Sequence, residues 1–141
     1  MKMLTSGLPE QVADDEDLAR YLSQSNQYSS QHQIPKPAAF LPNPKDRETS
    51  VFRHGENPAA GLWALGEQAA GKRKLYGAAI FKAHSARSVQ LEVVSDEPPP
   101  RHAAVRRWPW MENDPGLQKA RQIEMAAVIA SGARLFLKGP Q

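Results

Sequence analysis

Residues 75–107, LYGAAIFKAHSARSVQLEVVSDEPPPRHAAVRR, hold the pattern that decides the fold. The first run, 75–81 (LYGAAIF), is apolar with small residues, as expected of a buried strand that another backbone approaches closely. The second, 89–94 (VQLEVV), alternates, with Val89, Leu91 and Val93 on one face. The third, 101–107, is a short strand set between a proline cluster and the break at Trp108-Pro109-Trp110. Residues 82–88 fit a turn or a short helix. The links are too short for parallel crossovers, so the runs must pair antiparallel.

Downstream, Asn113 or Asp114 followed by Pro115 opens a helix reaching Ser131. Leu117, Ala120, Ile123, Ala127 and Ala130 give it an apolar face, and 125–130, apolar all round, is expected to be enclosed. Residues 135–137 add an edge strand or cover the core.

Upstream, Asn57-Pro58 starts a helix that runs to about Ala70, with Leu62, Leu65 and Ala69 on one face. Gly71 stops it, and Lys72, Arg73 and Lys74 suit its negative end. Residues 49–53 (TSVFR) read as a short strand, and 43–48 as a charged turn. The prolines of 34–44 make an extended connector held by Ala39, Phe40 and Leu41, and 23–33 reads as a polar loop. Residues 14–23 read as a helix with an acidic start and an apolar stripe of Leu18, Tyr21 and Leu22.

The expected fold is therefore α+β: one domain over residues 1–141, a small, mainly antiparallel sheet of four to five strands, and about three helices on one face. Residues 1–13 and 138–141 are expected as peripheral tails. A chain of 141 residues with 40% apolar and 23% charged residues suits a single core, and its 12 prolines require extended segments and loops. The absence of cysteine excludes disulfides, thiolate catalysis and Cys-based zinc sites. No window has the length of a membrane span and the Met1-Lys2-Met3-Leu4 start lacks a leader's apolar run, so a cytoplasmic protein with no membrane partner is expected.

The charge is polarised. Residues 1–35 carry a net −3, including Glu10, Asp14, Asp15, Glu16 and Asp17, whereas residues 72–107 carry a net +5. The acidic cluster has neither the alternation nor the glycine turn of a calcium loop and reads as a solvated helix start. His32, His54, His84 and His102 match no zinc spacing, and no phosphate loop or nucleophile elbow is present. No metal or cofactor is expected.

Two constellations remain. Arg53 and His102, with His54, could pair a phosphate-binding guanidinium with a general acid or base. The plainer alternative makes Arg53 an ion-paired strand residue and has His102 bonding a nearby carbonyl. In residues 98–110, Arg101, Arg106 and Arg107 accompany Trp108 and Trp110, with Lys72, Arg73 and Lys74 as an extension. These residue types favour protein hot spots and base-stacking grooves, although either tryptophan could equally be a packing residue. Three functions follow: a non-enzymatic module binding a protein partner through this surface, with the acidic helix as a second contact; a nucleic-acid-binding protein using the same patch; or a small enzyme acting on a phosphorylated or nucleotide substrate through Arg53 and His102.

The blocks Lys36-Pro37-Ala38-Ala39-Phe40, Ser50-Val51-Phe52-Arg53, Leu62-Trp63-Ala64-Leu65-Gly66, Leu75-Tyr76-Gly77, Pro99-Pro100-Arg101-His102-Ala103 and Trp108-Pro109 resemble a family of small bacterial proteins of no established activity. The similarity spans about residues 14–131. It implies a bacterial, cytoplasmic origin and a loose association with mobile or defence gene neighbourhoods. It implies no catalytic residue.

Overall fold

The computed structural model of the chain describes residues 4–55 and 59–138. Its elements are β1 (Asp17–Leu22), β2 (Tyr28–Ser29), β3 (Ile34–Pro35), β4 (Thr49–Arg53), α1 (Ala59–Ala70), β5 (Gly77–Lys82), α2 (Ala83–Arg87), β6 (Glu92–Ser95), β7 (His102–Arg106), α3 (Pro115–Ser131) and β8 (Arg134–Leu137). Six strands form one sheet in the order β6-β7-β4-β1-β5-β8, every pair antiparallel, and β2 and β3 form a separate two-stranded ribbon. The α+β class and antiparallel pairing are as expected, with a sheet larger than the four to five strands anticipated.

The extra strand is β1. The segment read as an acidic helix is a strand next to the middle of the sheet, between β4 and β5. Leu18 and Leu22 enter the core on one face, while Ala19 and Tyr21 meet the packing on the other. A strand buried on both faces loses its two-residue alternation, so helical spacing of its apolar residues is coincidental. Its acidic lead-in serves long-range pairing instead. Asp14 bonds Arg87 at 2.5 Å, Glu16 pairs with Arg53, and Asp17 bonds Lys82 at 2.9 Å. Much of the charge polarisation is thus neutralised within the molecule, and no acidic helix remains to act as a second contact.

Residues 23–33, read as a polar loop, contain a 3₁₀ turn (Ser25–Gln27) and one strand of the ribbon, with Gln27 buried. The connector after it carries a 3₁₀ turn, Pro37–Phe40, that sets Ala39 and Phe40 into the core. The segment ahead of β1, expected as a peripheral tail, is stitched to the sheet: Val12 is buried, and Ser6 N and Oγ bond Glu97 at 3.1 and 2.5 Å. Residues 139–141 lie outside the described residues.

The helices divide between the two sheet faces. Ala126 and Ile129 of α3 and Ala83 and Ala86 of α2 share the larger core with Leu18, Val51, Phe81 and Val105. On the opposite face, Leu62 and Trp63 of α1 pack on Ala19, Ala78 and Ile80. Small strand residues let α1 approach closely. A Cβ on Gly66 would meet the Tyr21 ring at 2.7 Å, and Tyr21 Oη donates to the Leu62 carbonyl at 2.7 Å. Asn57 and Pro58, read as the start of α1, lie outside the described residues. Its expected end holds: Arg73 donates to the carbonyls of Ala69 and Ala70. The close backbone approach anticipated near 75–81 is at Gly77, where a Cβ would lie 2.5 Å from the Phe136 carbonyl of edge strand β8.

Helix α3 begins as expected, with Asp114 Oδ1 accepting from Leu117 N at 3.0 Å and Pro115 in the first turn. Its inward face is different. Gln122, Ala126 and Ile129 are buried, whereas Leu117, Ile123 and Val128 are more than 40% exposed. The rotation follows from backbone demand. The 108–111 segment has groups outside any strand ladder, and Gln118 Oε1 accepts from Met111 N at 2.5 Å while Gln122 Nε2 donates to Pro109 O at 2.8 Å.

Candidate functional site

Among the described residues, helix α1 packs on the β1–β5 side of its sheet face. Beyond it, β4 and β7 present Ser50, Phe52 and His102 to a cavity of about 530 Å³, which Arg20, Tyr21 and Arg73 complete. That volume lies in the range of small-molecule sites. The register explains the grouping. Phe52 stands opposite His102, and Ser50 opposite Ala104, so Ser50 and His102 are diagonal neighbours on one face. Aromatic rings run across the three strands, with Tyr21 and Phe52 centroids 5.8 Å apart and Phe52 and His102 5.1 Å apart.

His102 is fixed through both ring nitrogens. Nδ1 lies 2.9 Å from the Asp96 carbonyl and 3.2 Å from the Asp96 carboxylate, and Nε2 lies 2.6 Å from Ser50 Oγ. A carbonyl oxygen can only accept, so the proton of the neutral ring sits on Nδ1 and Nε2 accepts from the Ser50 hydroxyl. The Asp96 main chain closes the arrangement, its N donating to the His102 carbonyl at 2.9 Å.

Two cations border the same space. Arg20 donates from Nε to Ala39 O at 2.7 Å and from Nη1 to Ser50 O at 2.9 Å, and Arg73 donates to the helix-end carbonyls of Ala69 and Ala70. Among the described residues no carboxylate lies within ion-pairing distance of either guanidinium. Burial, with Arg73 nearby, lowers the Arg20 pKa to about 10. Asp46 and Glu48 stand on the loop side of the cavity, with Asp46 Oδ1 accepting from the Glu48 amide at 3.0 Å.

The proposed partnership of Arg53 and His102 is not formed. The two residues lie on paired strands, but Arg53 is one position beyond Phe52 and so points to the other face. There Arg53 is 1% exposed, bonded to Glu16, to Pro9 O at 2.5 Å and to Ser95 Oγ at 3.0 Å, and it does not line the cavity. The plainer alternative describes both residues: an ion-paired arginine and a histidine on a carbonyl. His54 also stays away from the cavity. Its Nδ1 is buried without a hydrogen-bond partner among the described residues, and burial lowers its pKa.

The basic and tryptophan-containing stretch does not form one surface. Trp108 is 5% exposed in the main core, with Nε1 donating to Val105 O at 3.1 Å. Arg101 is turned inward onto the carbonyls of Arg53 and His54. Arg106 and Arg107 share Glu92 at 2.5 and 3.2 Å, and this pairing lowers the Glu92 pKa. Lys74 lies over the Tyr76 ring, and Lys72 is exposed in the turn after α1. Trp110 is half-buried, with Arg47 over its ring at 4.7 Å.

Sequence reasoning reached His102 and Arg73 but missed Arg20, Ser50 and Asp96. Arg20 was hidden by the helical reading of β1. Ser50 and Asp96 carry no local signal, since only strand register brings them to His102. Among the described residues, no group of three or more His, Asp or Glu side chains is placed to hold a metal ion, and no helix is long and apolar enough to cross a membrane. No family model, no curated protein and no solved structure matches the chain.

Proposed function

We propose that the cavity between α1 and the β4–β7 sheet face binds a small phosphorylated ligand of the nucleotide class. The observation that carries this reading is the pair of guanidiniums, Arg20 and Arg73, that border one cavity and, among the described residues, bond only to carbonyls. A phosphate would supply a counter-charge within ion-pairing distance, which neither guanidinium has among the described residues, and arginine suits it through its planar set of donors. The mutually tilted rings of Tyr21, Phe52 and His102 give the cavity an aromatic wall for a base to pack against. Calorimetric titration with inorganic phosphate, AMP and ATP tests it. The expected result is tighter binding of the nucleotides than of phosphate, with loss of roughly tenfold or more in Arg20→Gln and Arg73→Gln. Nucleotide binding unchanged in both variants would remove the reading.

Protein binding through Arg106, Arg107 and Trp110 is a second reading, favoured by Trp110, a partly exposed aromatic with an arginine over its ring. It predicts that Trp110→Ala with Arg106→Ala and Arg107→Ala abolishes capture of a partner while leaving the fold intact. Nucleic-acid binding by the same residues would instead weaken steeply with salt.

A further inference from the structure

We propose that Ser50, His102 and Asp96 form a nucleophilic relay that hydrolyses carboxylic esters, acting on a substrate whose remote end carries a phosphate or other anion. The anion preference rests on the reading of Arg20 and Arg73 given above; the relay does not. Three features carry it. The Ser50 hydroxyl donates to His102 Nε2 across 2.6 Å, the contact a serine needs for its proton to be removed during attack. The Asp96 carbonyl and carboxylate, 2.9 and 3.2 Å from Nδ1, hold the ring in the tautomer that leaves Nε2 basic and stabilise the imidazolium once it forms. Ser50 and His102 both line the one cavity, with the Arg20 guanidinium held on the Ser50 carbonyl at 2.9 Å.

In the first step, Ser50 Oγ bonds the ester carbonyl carbon as its proton passes to His102 Nε2, and the carbonyl π pair moves to oxygen. Collapse reforms the carbonyl and breaks the bond to the alcohol oxygen, which takes the proton from Nε2 and departs. Water then attacks the acyl-serine, giving its proton to Nε2, and Ser50 Oγ leaves with that proton. The products are an acid and an alcohol, and water is the only co-reactant. Asp96 acts as a positioning residue.

The full-length chain treated with a fluorophosphonate probe and with p-nitrophenyl acetate provides the test, read by intact mass, peptide mapping and release of p-nitrophenolate. A single adduct on Ser50 and slow turnover are expected. Ser50→Ala should lose both, and His102→Gln should lower labelling and turnover by roughly 100-fold or more with an unchanged melting temperature. Asp96→Asn should reduce kcat while leaving KM for the acetate unchanged, a split that a purely structural role would not produce. A Ser50 adduct in a wild-type chain that binds no nucleotide in the calorimetric titration supports the relay and removes only the anion site. Absence of a Ser50 adduct in the folded wild-type chain, or equal labelling in His102→Gln, would overturn the relay, whether or not nucleotides bind.

Discussion

Phe52 and His102 stand directly opposite each other on β4 and β7, with ring centroids 5.1 Å apart and planes at 69°, while Arg53, the next residue along, faces the other side of the sheet. One position in a strand therefore separates a cavity residue from a buried structural ion pair. The division assigns different consequences to neighbouring substitutions.

Arg53→Ala should cost about 3–5 kcal/mol, because it leaves Glu16 beside the core without its cation and frees Pro9 O and Ser95 Oγ from their shared donor. Urea denaturation gives the value. Nucleotide affinity, measured under folding conditions, should not change, and a large loss of affinity would place Arg53 in the site after all.

The two tryptophans should separate sharply. Trp108→Ala removes a 5%-exposed side chain from the main core and should cost about 3–5 kcal/mol. Trp110→Ala loses mainly the Arg47 stacking, about 1 kcal/mol or less. Paired denaturation curves check this, and equal costs would contradict the assignment of only Trp108 to the core.

Acid should loosen the chain in two windows. Burial, reinforced by Arg101 and Arg134 and opposed by Asp17, holds the His54 pKa below its ordinary 6.5. The unfolded chain then takes up the proton more readily, so stability is lost as pH falls below that ordinary value. Glu97 acts in the lower window. Burial pushes its carboxyl upward, but hydrogen bonds from Ser6 and the Arg101 amide, with the Arg53 charge, outweigh it and hold the pKa below 4.5. Its contribution is complete above 4.5 and disappears as pH falls through the lowered value. Melting from pH 8 to pH 3 should show both slopes, the first reduced in His54→Asn and the second in Glu97→Gln.

Gly77→Ala should destabilise the fold by about 1–3 kcal/mol, since its Cβ would lie 2.5 Å from the Phe136 carbonyl and β8 would have to move. Amide exchange should quicken first in β8 and in the paired stretch of β5. Unchanged exchange there would show that the edge strand yields without cost.

Local chemistry alone determined the elements whose signals are self-contained. The β4 run TSVFR, the Asp114-Pro115 start of α3, the end of α1 before Gly71 and the strand runs of residues 77–106 all follow from capping, side-chain branching and short links. Tertiary structure decided what local chemistry leaves degenerate. Residues 17–22 have apolar side chains compatible with helix or strand, and pairing with both β4 and β5 selects the strand. The inward face of α3 was chosen by loop carbonyls and amides that need Gln118 and Gln122, against the pull of Leu117 and Ile123. The site follows the same logic. His102 was visible as a side chain at a strand end, but Ser50 joined it only through the β4–β7 register, Asp96 only through the pairing of β6 with β7, and Arg20 only when β1 took its place beside β4. Register is a property of pairs of strands, and a single strand's sequence does not contain it.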